Sequence, residues 1–167
     1  EFMLGNRQYS YPLTVTDYAS RYLICCEGLE STKEAQAITV FEQLFKEYGL
    51  PGSIRSDNGV PFASPNAIYG LSSLSVWWLR LGIGIERIKP GNPQQNAYIE
   101  RFNRTMRYEL LSPNLFGNIE EVQEAATQWA YAYNHDRPSM ALNGRTPIQH
   151  LQTYLDSNHQ PSTLTSL

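Results

Sequence analysis

Residues 8–17 (QYSYPLTVTD) gather Tyr, Thr and Val into a run that suits a pleated strand. Pro12 places the start of that run at an edge or a bend. A turn at 17–20 and a second run at 22–26 (YLICC) complete a predicted antiparallel hairpin. Ser31 and Glu34 have the spacing of a capping box that opens a helix. Apolar positions then recur at helical spacing through Ile38, Phe41, Leu44 or Phe45, and Tyr48, until Gly49 and Pro51 stop them. A short strand follows at 53–56, ending in the turn Asp57-Asn58-Gly59. After a stretch rich in Ser, Pro and Asn, Leu71, Leu74, Trp78 and Leu81 mark a second helix closed by Gly82. Another short strand is predicted at 85–88, a Pro/Gly/Asn loop at 90–93 and a helix from about 95 to 111. Asn118 with Glu121 opens a helix carrying Val122, Ala126, Trp129 and Tyr133, and Arg145-Thr-Pro147 starts a short closing helix. A hairpin followed by strands alternating with helices predicts an α/β domain, with a mixed sheet flanked by helices in three layers.

The chain has 167 residues, 41% hydrophobic and 17% charged, which fits one globular domain at 1–155 with a polar tail at 156–167. Cys25 and Cys26 are adjacent and are its two cysteines, so a disulfide framework and a Cys-based zinc site are excluded. His135, His150 and His159 lack ligand spacing relative to one another. No apolar run approaches the roughly 18 residues of a bilayer span. The first residue is Glu1, and the chain reads as a piece excised from something longer. Formal net charge is −3, which does not advertise a nucleic-acid partner, but the charge is uneven. Residues 86–107 hold Arg87, Lys89, Arg101, Arg104 and Arg107 against Glu86 and Glu100, a basic window in an acidic chain.

Two carboxylates stand in unusual places. Asp57 ends a strand, the position from which α/β sheets present catalytic groups. Glu100 lies near the start of a helix whose Ile99, Phe102, Met106 and Leu110 belong in the core. Glu100, Asn103, Arg104 and Arg107 recur at i, i+3, i+4 and i+7 on another face. A carboxylate pair can hold divalent metal, and neighbouring arginines can hold phosphate. Together they point to metal-assisted chemistry on a phosphodiester. The plain alternative is a common Asp-Asn-Gly turn and a surface i,i+4 pair between Glu100 and Arg104.

Ile54-Arg-Ser-Asp-Asn-Gly59, followed by Lys89-Pro-Gly-Asn-Pro-Gln-Gln-Asn-Ala-Tyr-Ile-Glu-Arg-Phe-Asn-Arg-Thr105, resembles the catalytic core of DDE transposases and retroviral integrases. Tyr133-Asn-His-Asp-Arg-Pro138, with Leu142 and Thr146-Pro147, resembles the end of that core in bacterial insertion-sequence transposases. The hairpin at 11–21 fits as well, so the resemblance covers about residues 8–155. It implies a ribonuclease-H-like fold, and DNA cleavage and strand transfer in DNA recombination by two divalent ions, Mg²⁺ or Mn²⁺. By position Asp57 matches the second carboxylate and Glu100 the third, both as metal ligands. Lys89, Asn96, Asn103, Arg104 and Arg107 are the implied DNA-binding residues. The implied partners are transposon ends and target DNA, in a homodimer or larger assembly in the bacterial cytoplasm, with no membrane and no small-molecule substrate.

The family's first carboxylate lies in the first strand, before the hairpin, and is expected upstream of Glu1. Asp17 is a weak substitute, read as capping its turn. Ser139 stands where these transposases place His, and the spacing from Asp57 to Glu100 exceeds that of retroviral integrases. Two other classes remain at this point. One is a truncated or decayed core that only binds DNA and oligomerises. The other is a glycosidase built on two carboxylates, against which the arginine face argues. Trp77 and Trp78 read as packing rather than as a base-stacking platform.

Overall fold

The computed structural model describes residues 1–57, 59–64, 67–87 and 97–157. Its strands are β1 (Phe2–Met3), β2 (Tyr9–Thr16), β3 (Leu23–Leu29), β4 (Ser53–Ser56) and β5 (Gly84–Arg87). Its α-helices are α1 (Glu34–Tyr48), α2 (Ser73–Arg80), α3 (Ala97–Met106), α4 (Ile119–His135) and α5 (Pro147–Ser157). β1, β2 and β3 form an antiparallel sheet, and β4 and β5 pair in parallel. No described helix is long and apolar enough to cross a membrane.

The hairpin forms where the pattern predicts it, but β3 runs three residues past Cys26. Pairing carries it on: Leu13 faces Glu27, Pro12 faces Gly28 and Tyr11 faces Leu29. Gln123 of α4 secures this extension, its Oε1 accepting from the Gly28 N–H (2.9 Å) and its Nε2 donating to the Cys26 carbonyl (3.1 Å). Asn134, buried in the same helix, clasps Leu23 in the same way, accepting from its N–H (2.8 Å) and donating to its carbonyl (2.9 Å). A buried amide that meets both groups of one residue leaves neither unpaired, so α4 is tied to β3 at two levels.

Successive strand residues face opposite sides, so adjacent Cys25 and Cys26 enter different cores. Cys25 joins Leu13, Phe41, Ile54, Leu74, Trp78 and Ile83 beneath α1 and α2. Cys26 joins Leu23, Phe102, Met106, Leu110 and Ala126 beneath α3 and α4. Burial raises both thiols, Cys26 to about 12, which leaves them protonated and unreactive in the folded chain.

The capping box read at Ser31 and Glu34 is not formed. Helix α1 starts at Glu34 itself with Lys33 as its N-cap, so Glu34 is too early to reach back. Gln36 does so instead, its Oε1 accepting from the Ser31 N–H and hydroxyl. Asn118 does cap α4, accepting from the Glu121 N–H (3.0 Å), while Glu121 accepts from the Gly117 N–H (2.7 Å), one residue before the cap. The predicted helix from 95 to 111 is α3 followed by a π turn at Arg107–Leu111. The closing helix runs to Ser157, past the predicted end of the core at 155. The predicted 90–93 loop and the tail beyond Ser157 lie outside the described residues.

Candidate active site

Asp57 immediately follows β4 and is exposed. Its Oδ1 accepts from the Gly59 N–H (2.9 Å), a local turn bond that fixes the carboxylate at the strand end. Asp57 lines a cavity of about 420 Å³ together with Pro12 to Thr16 of β2, β4, and Tyr98, Ile99 and Asn103 of α3. The end of β4 and the first turn of α3 thus line the same cavity.

Glu100 is exposed on the first turn of α3, between two residues that line the cavity, but is not itself in its wall. Among the described residues it has no ion-pair partner. The two ion pairs found there are Arg55–Glu86 (2.7 Å) and Arg137–Glu109 (2.6 Å), so the surface pair with Arg104 is not made. Arg104 and Arg107 are exposed as well, Arg104 in regular helix and Arg107 at the start of the π turn. Lys89 and Asn96 lie outside the described residues.

The basic window is sharper in space than in sequence. Arg87 donates to the Gly70 carbonyl (2.9 Å) and is withdrawn from it. Glu86 is neutralised by Arg55, and hydrogen bonds from Ser53 and Arg55 hold its carboxyl below the usual range. What remains exposed among the described residues is Arg101 and Arg104 on α3 and Arg107 at the start of the π turn, with Glu100 at their head.

One positioning device escaped the sequence pattern. Arg21 lies between the rings of Tyr18, in the hairpin turn, and Tyr98, at the start of α3, with its guanidinium 4.7 and 4.2 Å from their centroids. Arg55 of β4 covers Tyr18 in turn at 5.1 Å. Burial and the nearby Tyr133 hydroxyl raise the Tyr98 phenol, so it stays neutral beneath the guanidinium. This stack joins the hairpin, β4 and the first turn of α3, the segments that carry Asp57 and Glu100. An Arg and two Tyr spread over 80 residues give no local signal. Asp17 is buried, and its Oδ2 accepts from both the Ser20 N–H and the Ser20 hydroxyl, which makes it a turn cap. Among the described residues no group of three or more His, Cys, Asp or Glu gathers as a metal cluster.

A family model described as an integrase core domain matches residues 81–147. The insertion element IS476 uncharacterized 39.2 kDa protein of Xanthomonas euvesicatoria is 30% identical over 151 residues, covering 90% of this chain and 42% of its own length. The insertion element IS407 uncharacterized 31.7 kDa protein of Burkholderia multivorans is 30% identical over 149 residues, 87% of this chain and 50% of its own length. The chain thus spans about half the length of the curated relatives it matches. A crystal structure of the catalytic core domain of BIV integrase matches with a TM-score of 0.66, over 96% of this chain and 95% of its own. At 20% identity that likeness is one of fold, and the fold is ribonuclease-H-like, as expected.

Proposed function

We propose that this chain cuts and joins DNA as the core of a bacterial insertion-sequence transposase of the DDE type, a reading supported by the integrase-core match over residues 81–147 and by the insertion-element relatives. The observation that carries the reading is the meeting of the β4 end, bearing Asp57, with the first turn of α3, bearing Glu100, at one cavity. Both carboxylates are exposed, and neither has a cationic partner among the described residues. Such hard oxygen donors suit Mg²⁺ or Mn²⁺. Asp57 and Glu100 are the ligands this chain would supply. Bound there, two divalent ions supply activation of an attacking oxygen and stabilisation of a leaving one in an in-line displacement.

The reaction needs no ATP. Water adds to a phosphorus at the transposon end, the bond to the 3′ oxygen breaks, and a 3′-hydroxyl is left. That hydroxyl then displaces another at a target phosphodiester, one P–O bond forming for each broken. The chain's own residues hold the strands. Arg104 and Arg107 neutralise phosphates from the exposed face of α3, and Asn103 hydrogen-bonds the backbone from the cavity wall. Lys89 and Asn96, outside the described residues, are further DNA-binding residues in this reading. Arg21, clamped by Tyr18 and Tyr98, is a positioning residue for α3. Two transposon ends handled together call for a dimer or larger assembly, working in the bacterial cytoplasm on nucleoid DNA.

The second reading is a core that binds DNA without cutting it. Both readings share the DNA face, which is tested first. Replacing Arg104 and Arg107 together by Ala should reduce the slope of log affinity against log salt by about 2 on duplex DNA, since each phosphate contact adds roughly 0.9. Affinity should fall alike for all sequences. An unchanged slope would remove these arginines from the DNA face.

A further inference from the structure

Each of the two ion pairs among the described residues joins a carboxylate of the basic stretch, or of its border, to an arginine from elsewhere in the chain. Arg55 takes Glu86 at the start of the stretch, and Arg137 takes Glu109 just past its end. The second pair has supports of its own. Arg137 Nη1 donates to both Glu109 oxygens at 2.6 Å, and the Trp129 indole N–H donates to Oε2 at 3.1 Å. The Arg137 guanidinium also lies 5.9 Å from the centroid of the Tyr133 ring, which packs in turn on Trp129 at 5.3 Å. Tyr133 and Arg137 belong to the segment Tyr133-Asn-His-Asp-Arg-Pro138, which the carboxylate site does not use.

Glu109 reaches these partners through the π turn. Phe102 and Met106 are buried, and in an unbroken α-helix the next position of that stripe, i+7 from Phe102, is Glu109. The π turn, closed by the Ser112 N–H on the Arg107 carbonyl (2.8 Å), adds a residue. Leu110 then takes the buried place and Glu109 emerges on the surface. It emerges two residues from Arg107, within about 7 Å of chain. That is inside the roughly 8–10 Å over which charges act at moderate salt. Unpaired, this carboxylate would offset one arginine of the row and repel an approaching phosphate. The side chains of Arg137 and Glu109 stay 42% and 43% exposed, and a pair so exposed adds little to stability. Its main consequence is the charge it removes from beside Arg107.

We propose that Arg137 is a positioning residue for the DNA face: by holding Glu109 it keeps an intramolecular anion from Arg104 and Arg107, which then meet phosphate uncompensated. This rests on the reading of those two arginines as DNA contacts, and adds a residue that touches no DNA itself.

Binding to duplex DNA is measured against salt for the unchanged chain, Arg137→Ala, Glu109→Gln and the double variant. Arg137→Ala frees Glu109, and should lower the slope of log affinity against log salt by about 1 and the affinity at low salt by about fivefold or more. Glu109→Gln removes the anion, keeps an acceptor for Trp129, and should bind at least as tightly as the unchanged chain. The double variant should recover the unchanged affinity, because no anion is left to hold. Arg137→Lys, which keeps the pairing charge, should also bind as the unchanged chain does. Equal losses in Glu109→Gln and Arg137→Ala overturn the proposal, because the pair then acts as a brace. A double variant as weak as Arg137→Ala overturns it too, because Arg137 is then itself a phosphate contact. So does an Arg137→Ala chain that binds normally. An unchanged slope for the paired Arg104 and Arg107 replacement overturns this proposal together with the DNA face. A reduced slope there, with any of the three results above, overturns this proposal alone.

Discussion

Replacing Asp57 by Asn is expected to lower DNA strand joining by about a thousandfold or more, with the fold and the affinity for duplex DNA unchanged. The size follows from the role. Loss of a residue that merely orients a metal ligand costs roughly 10–100-fold, and loss of a direct ligand costs more. The fold should survive because Asp57 is exposed and its bond is to the Gly59 N–H, which an Asn Oδ1 accepts equally well. The change in unfolding free energy should stay within about 0.5 kcal/mol. DNA affinity should survive because the arginines of α3 supply it. The comparison is made with Mn²⁺. Full joining by the variant would remove Asp57 from the chemistry.

Replacing Trp78 by Ala is expected to lower stability by about 3–5 kcal/mol, the usual cost of emptying an aromatic site in a core. Trp78 is 0% exposed. Phe41 meets its ring edge-on with centroids 4.9 Å apart, and Phe62 stacks on it at 6.0 Å. It stands where α1, α2 and β4 converge, so no neighbour can collapse into the space without moving an element. Total stability of a domain is about 5–15 kcal/mol, so the loss should show as a large shift in urea midpoint. A ring that served as a platform for bases would behave otherwise, losing affinity for single-stranded DNA with its stability intact. That result would contradict the packing role.

The parts of the fold that were legible in the sequence are those with a local cause. The hairpin at 8–26 was read from β-branched and aromatic residues. Helix α1 was read from Phe41 and Leu44 and ended where Gly49 takes a φ of 85°. The strand end at Asp57 was read from the turn that follows. What was missed has causes far away in sequence. β3 outruns its apolar stretch because Gln123, 95 residues from Gly28, meets its outer edge. The box at Ser31 fails because α1 begins later, and only the packed helix fixes where. Of the site, Asp57 and Glu100 were readable by position, and the resemblance gave them roles. The Arg21 clamp and the withdrawal of Arg87 were not readable, because cation–aromatic stacks and single side-chain bonds to carbonyls leave no period.

The central claim is that Asp57 and Glu100 serve one metal-dependent site. A crystal structure with Mn²⁺ soaked in, read at the Asp57 carboxylate, tests it most directly. The account predicts Mn²⁺ held by Asp57, with the Glu100 carboxylate turned to the same site. Asp57 and Glu100 on opposite faces of the domain, sharing no ion, would contradict it and leave only the fold.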